Sequence, residues 1–374
     1  MDWIEEELRR LKGENLYRER RLREGFLDVC SNDYLGLRDH PEVIEAVVRV
    51  VRDAGVGSGA SQLVSGYTRY HRELEDALAE FKGTPSCVLF GSGYLANVGL
   101  LQALAGEGDL ILSDRLNHAS IIDGCRLSKA DVMIFEHGDY QHLEDLLRST
   151  RKNYRRVLIV TDSVFSMDGD MANVQLLMDL CEKYECILVL DEAHATGTVG
   201  DKGRGSLEHF HLEWKEYVVM MGTLSKALGS YGAFVCASKR VCDLLVNRAR
   251  SLIFSTAIPP ALCAGAVTAL QIIQRETWRL KRLRELSETL YKSLRGMGFE
   301  VMYHGTPILP IMVYSEERAL RMSAHLLEKG VLLQAIRYPT VPKGSARLRL
   351  TASVRYSEDD IKTLLRALDD VKAF

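Results

Sequence analysis

Ile187-Leu188-Val189-Leu190-Asp191-Glu192-Ala193-His194 is the stretch on which the fold turns. Its apolar half runs directly into two carboxylates and a histidine. A run so short, apolar and free of polar alternation reads as a strand buried on both faces. The same form recurs on either side, at Cys87–Phe90, Leu110–Leu112, Val132–Phe135, Val157–Thr161 and Tyr217–Met220. Amphipathic segments lie between them, among them Arg72–Phe81, Gln141–Leu147 and Val174–Tyr184. Strand alternating with helix predicts an α/β fold, a mostly parallel sheet covered on both faces. Ligands of such sheets bind beyond the carboxyl ends of the strands, so chemistry is sought just after each one.

Further along the chain the pattern changes. A long charged helix is expected over Trp278–Arg295, then a strand pair around Ile308–Val313 and Val331–Ala335. Helices follow near Glu316–Glu328 and Glu358–Val371, with a strand at Ala346–Thr351. This reads as a smaller α+β domain. Residues 3–23 are charged and helical in pattern, an arm expected to complete that domain. The expected division is residues 1–40 as the arm packing with the small domain, 41–275 as the large α/β domain and 276–374 as the small one.

Composition narrows the class. The 374 residues are 47% hydrophobic and 26% charged, which excludes a disordered or collagen-like chain. Lysine and arginine number 48 against 51 acidic residues, a net charge of −3 that argues against a dedicated polyanion binder. Eight cysteines form no C-x-x-C pair, and reduced, buried thiols in a cytoplasmic protein are the expectation. Met1 to Glu7 lacks the basic and apolar regions of a signal peptide. The 24 uncharged residues between Arg250 and Arg275 contain Pro259-Pro260 and scattered hydroxyls. They read as a loop and then a buried helix opened by the prolines, in a soluble chain.

Four strand ends carry chemistry. Gly91-Ser92-Gly93-Tyr94-Leu95-Ala96 follows Cys87–Phe90 and opens a helix, in the form G-x-G-x-x-A. Backbone N–H groups at a helix start suit any phosphate, so the motif denotes an anion site; a nicotinamide oxidoreductase using Gly91–Ala96 is the reading from another class. Asp191 to His194 spells the D-E-A-H of a helicase, but no Gly-Lys-Ser or Gly-Lys-Thr exists to hold a triphosphate, and no histidine or cysteine cluster supports zinc. What remains is a carboxylate at a strand end with a histidine three residues on. Gly222-Thr223-Leu224-Ser225-Lys226-Ala227-Leu228-Gly229 follows Tyr217–Met220. Most lysines are solvated surface charges, yet Lys226 sits among small residues, after a buried strand, 35 residues beyond Asp191. A desolvated lysine is an amine nucleophile. Phosphate cradle, strand-end aspartate and enclosed lysine together fit pyridoxal 5′-phosphate (PLP). His118, beyond Leu110–Leu112, is placed to stack on a flat cofactor ring.

These residues resemble the α-oxoamine synthase family of fold-type I PLP enzymes. The resemblance spans essentially the whole chain. It rests on Ser31 to Leu37, Ser65-Gly66-Tyr67-Thr68, Ser92-Gly93-Tyr94, Asp114 to Ser120, Val164 to Asp170, Asp191 to Gly197, Thr223 to Lys226, Phe254-Ser255-Thr256, Pro339 to Pro342 and Ala346 to Leu350. It implies an aspartate-aminotransferase-like fold, with a seven-stranded, mostly parallel sheet in the large domain and a smaller α+β domain. It implies an acyltransferase that condenses L-alanine with pimeloyl-CoA, or a pimeloyl carrier protein, with loss of CO2. The product would be 8-amino-7-oxononanoate, for biotin biosynthesis; glycine with acetyl-CoA is the sister activity.

The roles it implies fall on particular positions. Lys226 would bind the PLP aldehyde, Asp191 would pair with the ring nitrogen, and His194 and Ser166 would contact the ring region. His118 would stack on the ring and touch substrate. Ser92, Gly93, Tyr94 and Thr223 would hold the cofactor and its phosphate. Thr256 would reach the phosphate of a neighbouring subunit, implying a homodimer with shared sites. Asn32 and Arg349 would grip the amino-acid carboxylate, Thr340 would line the substrate site, and Arg18 would meet the far carboxylate of the acyl chain, with Arg20, Arg21 and Arg23 as competitors. Tyr356 and Gln62 depart from the family pattern; the first leaves the packing beneath Arg349 open.

Overall fold

β-branched and leucine-rich runs bounded by turn residues become the strands of this chain. In the computed structural model, which describes residues 1–372, they are β1 (Leu27–Asp28), β2 (Ser86–Phe90), β3 (Asp109–Asp114), β4 (Asp131–Phe135), β5 (Arg156–Asp162) and β6 (Ile187–Asp191). Beyond them come β7 (Val218–Thr223), β8 (Ala233–Ala237), β9 (Ile308–Tyr314), β10 (Val331–Leu332), β11 (Ala335–Ile336) and β12 (Ala346–Thr351). The chain divides into two units, one made of residues 1–32, 167–169 and 282–374, the other of residues 33–166 and 170–281.

The larger unit holds a seven-stranded sheet of order β2-β8-β7-β6-β5-β3-β4. Strands β7, β6, β5, β3 and β4 are parallel, and β8 runs antiparallel to both its neighbours. Every residue of β3, β7 and β8 is buried, as continuous apolar runs require when both sheet faces are covered. On one face Leu100 and Leu101 of helix Gly93–Leu104 and Leu245 of helix Lys239–Arg248 pack against Val88, Ile111, Val160, Val189, Val219 and Val235. Each such side chain withdrawn from water contributes about 1.5–3 kcal/mol. Truncating Leu101 to alanine would therefore cost roughly 2–5 kcal/mol.

Strand direction explains why the motifs converge. Because β8 opposes both β2 and β7, those two run the same way, and Phe90 and Thr223 pair with the same residue, Ala233. The turn after β2 is thus delivered to the edge where β3, β5, β6 and β7 end. β8 itself went unread in the sequence: Ala233 to Ala237 is short and follows a glycine-rich turn. Helices Val174–Tyr184, Glu316–Glu328 and Glu358–Val371 and strand Ala346–Thr351 have the bounds expected. The uncharged stretch after Arg250 forms a loop and the buried helix Pro260–Arg275. Among the described residues no helix is long and apolar enough to cross a membrane. All eight cysteines are free thiols, seven of them buried.

In the smaller unit β12 lies between β9 and β11, antiparallel to both, and β1 pairs in parallel with β10. Two expectations are corrected here. Ile308–Val313 does not pair with Val331–Ala335. That second stretch splits into β10 and β11, because the Gln334 N–H donates to Cys30 Sγ instead of continuing a ladder. Nor is the arm helical to residue 23. Its helix is Asp2–Gly13, and Asn15 takes a left-handed φ of 57°, the kind of backbone that ends helices. Beyond it the Arg337 guanidinium donates to the Asn15 and Tyr17 carbonyls and ties the irregular segment down.

Candidate active site

Three adjacent parallel strands end on aspartate: β3 on Asp114, β5 on Asp162 and β6 on Asp191. β7 ends on Thr223, and three residues later comes Lys226. Its Nζ lies 2.9 Å from Nε2 of His194, and the other ring nitrogen of His194 lies 2.7 Å from the buried Tyr34 hydroxyl. Small residues permit this approach. A Cβ on Gly197, whose φ is +83°, would stand 2.5 Å from that of Ala227, so the turn after Asp191 seats against the one carrying the lysine only with glycine there.

Asp191 is buried at 4% exposure. It accepts hydrogen bonds from Asn97 Nδ2 at 2.8 Å and from the Ala193 N–H at 2.9 Å. Asn97 also donates to Ser120 Oγ at 2.9 Å, and Ser120 Oγ lies 2.7 Å from His118 Nδ1. One network therefore joins Asp191 to His118. The turn bearing His118 is pinned further: its backbone N–H donates to Asp162 Oδ2 at 2.8 Å, and Asn117 donates to the Val160 carbonyl at 2.7 Å. His118 has an exposed edge, yet the protein around it pushes its pKa below the ordinary histidine value. Desolvation leads, Lys226 adds repulsion and Asp191 opposes.

Ser92 caps helix Gly93–Leu104, its side chain accepting from the Leu95 N–H at 3.2 Å. The helix start stands beside β7, since a Cβ on Gly93 would meet that of Thr223 at 4.0 Å. Thr223 Oγ1 donates to the Gly232 carbonyl at 3.0 Å and lies 2.7 Å from Ser225 Oγ. Tyr94 is exposed and its hydroxyl donates to Asp123. Ser166 lies in the loop after β5, closed by a bridge between Val164 and Met171. Thr256 is exposed and bridges to Ser61, apart from the lysine network.

The smaller unit holds the remaining predicted residues. Buried Arg349 on β12 donates to Asn32 Oδ1 at 3.1 Å. Arg18 donates to Thr340 Oγ1 at 3.3 Å, and both border a cleft of about 410 Å³ together with Arg21 and Arg337. Arg20 and Arg23 are not among its lining residues. Burial, and then repulsion from Arg18, lower the Arg337 pKa, the sign of two guanidiniums sharing one opening. Tyr356 is buried, its hydroxyl donating to the Thr351 carbonyl at 2.9 Å two residues beyond Arg349; in the larger unit Gln62 donates to the Leu89 carbonyl at 2.9 Å.

Sequence reasoning missed Asn97, Asp162 and a role for Tyr34. Two had signals. Asn97 is a polar residue on the apolar face of a helix, and Asp162 follows its strand just as Asp191 does. Asp114, the acid a dinucleotide reading assigns to a ribose, is instead buried against His137 Nδ1 at 3.0 Å.

A parallel-dominated sheet with lysine, histidine, carboxylates and a helix start at one edge defines a class, and sequence comparison agrees. The chain belongs to the family "Aminotransferase class I and II", whose pattern matches residues 24–368. It is 60% identical to a putative 8-amino-7-oxononanoate synthase of Aquifex aeolicus, covering 99% of each chain. It is 44% identical to the 8-amino-7-oxononanoate synthase of Nitrosomonas europaea, covering 98% of each. Among solved structures it is similar to a serine palmitoyltransferase from S. paucimobilis bound to PLP with myriocin. That match has a TM-score of 0.91 at 27% identity, over 100% of this chain and 97% of the other.

Proposed function

We propose that the protein catalyses the PLP-dependent decarboxylative condensation of L-alanine with a pimeloyl thioester, giving 8-amino-7-oxononanoate, CO2 and free thiol in biotin biosynthesis. The observation that carries the chemistry is the Lys226 amine held at 2.9 Å by His194 at the sheet edge where buried Asp191 ends its strand. The names of its 40–60% identical relatives carry the product, 8-amino-7-oxononanoate.

The residues present fit PLP. Lys226 would bind its aldehyde and Asp191, already polarised by two donors, would face the ring nitrogen. The N–H groups at the start of helix Gly93–Leu104, with Ser92, Tyr94 and Thr223, would take the phosphate. His118 would stack on the ring, with His194 and Ser166 beside it. When bound, PLP supplies the electron sink that makes the Cα proton of the amino acid removable.

The chain's own groups do the rest. Lys226 Nζ takes the Cα proton, and its contact with His194 keeps the amine oriented between uses. The His194–Tyr34 contact fixes the imidazole plane. Arg349 and Asn32 hold the amino-acid carboxylate, which a guanidinium fork fits. Arg18 and Thr340 border a cationic cleft suited to a second, distant carboxylate, which a pimeloyl chain has and an acetyl group lacks. The reading includes a cytoplasmic homodimer in which Thr256 reaches the neighbouring subunit's phosphate site. Exposed Leu63, Val64 and Phe254 near the Ser61–Thr256 bridge support it, because solvent-facing apolar groups in one place mark interfaces.

Borohydride reduction of the PLP-loaded protein followed by peptide mapping tests the cofactor assignment: the label is expected on Lys226, and a label elsewhere contradicts it. Comparison of acyl-CoA chain lengths, each with alanine or glycine, tests the substrates. Preference for acetyl-CoA and glycine would overturn the pimeloyl reading.

A further inference from the structure

β5 and β6 run parallel in register, and their last residues are paired: Asp162 stands against Asp191. Neighbouring strands lie about 4.8 Å apart, and residues in register point to the same face. Both residues are buried, at 3% and 4% exposure. Two adjacent carboxylates out of water do not both ionise. Which one keeps its proton follows from the groups around each.

Asp191 receives two donors, the Asn97 amide and the Ala193 N–H. Asp162 receives the His118 backbone N–H at 2.8 Å. The groups facing Asp162 come from four elements: Asp191 on β6, Asp114 on β3, His118 on the turn after β3, and Lys226 after β7. Asp114 has its own cation in His137. Burial, then the charge of Asp191, push the Asp162 carboxyl well above the usual carboxylate range, against the His118 N–H and Lys226.

We propose that Asp162 is a positioning residue: its carboxyl group, carrying its proton, anchors the His118 turn and leaves Asp191 as the charged member of the pair. The roles of His118 and Asp191 toward PLP rest on the proposed function; the buried carboxyl pair does not. As an acid Asp162 accepts the His118 N–H without adding a second charge at the sheet edge. The ring that would stack on the cofactor is thereby held from both sides, by Asp162 at its backbone and by Ser120 at Nδ1.

The test begins with cofactor-free protein, so that its result is independent of the reaction. A folded pKa raised above the unfolded 3.8 gives stability that is full below that pH and is lost as pH rises toward the folded value. Asparagine keeps the acceptor and cannot ionise. The melting temperature of Asp162→Asn relative to wild type is therefore expected to rise steadily from pH 4 to pH 8. A flat or falling difference overturns the proposal. In the loaded enzyme Asp162→Ala is expected to lower kcat on the order of tenfold through loss of His118 placement, with Asp162→Asn recovering most of it. An asparagine variant as impaired as Asp191→Asn would contradict the assignment.

Discussion

Lys226 Nζ and His194 Nε2 lie 2.9 Å apart, and the Tyr34 hydroxyl closes on the other nitrogen of the same ring at 2.7 Å. The lysine thus enters the site with its amine already held by a hydrogen-bonding partner. That partner is fixed by a phenol buried in the same unit.

On the proposed function, Lys226→Ala would remove both the covalent anchor and the base. Turnover is expected to fall below detection. The lysine is half-buried and lies outside the core cluster of the sheet, so the melting temperature of cofactor-free protein should change little. Appreciable turnover in that variant would show that another group does the chemistry.

His137 lies between Asp114 and Asp170, at 3.0 and 2.9 Å. Hydrogen bonds to the two carboxylates lift its pKa to about 10, outweighing burial. With the folded value above the unfolded one of about 6.5, the stabilisation is complete below pH 6.5 and is lost as pH rises through about 10. His137→Gln should therefore destabilise by roughly 3 kcal/mol at pH 6 and progressively less toward pH 10, measured by urea unfolding across that range.

Lys82 and Glu192 form an ion pair at 3.0 Å with side-chain exposures of 1% and 0%. Glu192 also accepts from the Ser206 N–H, so the pair braces the turn that carries His194. Lys82→Met strands a buried carboxylate and should cost roughly 3–5 kcal/mol, whereas Lys82→Met with Glu192→Leu should recover part of that. Equal losses in the two variants would show that the stranded Glu192 carboxylate is not what destabilises Lys82→Met.

Arg18→Ala is expected to raise KM for the pimeloyl thioester about tenfold while leaving that for alanine near its original value. Arg349→Ala should do the reverse and also slow the reaction. Paired steady-state titrations of both substrates distinguish the two roles.

Much of this site was legible because it follows strand ends. Asp191, Lys226, His118 and Gly93 stand where short apolar runs stop, and no long-range packing is needed to find them. Asp162 obeys the same rule but stands two residues before the Val164 to Asp170 stretch, where a lone carboxylate at a strand end looks like a turn residue. Asn97 and Tyr34 lay outside that rule, because their contacts reach 94 and 160 residues along the chain. The arm misled for a local reason. Its charged pattern continues past residue 13, but Gly13 and left-handed Asn15 stop the helix, and Arg337 takes the carbonyls that follow. The Val331–Ala335 run misled for a tertiary one, as the Cys30 thiol captures the Gln334 N–H within it.

Incubation of the PLP-loaded protein with pimeloyl-CoA and L-alanine is the most direct measurement of the central claim. The expected result is free thiol, CO2 and 8-amino-7-oxononanoate in equal amounts, each requiring both substrates and Lys226. Thiol released without alanine, or released with glycine and acetyl-CoA in its place, would contradict it.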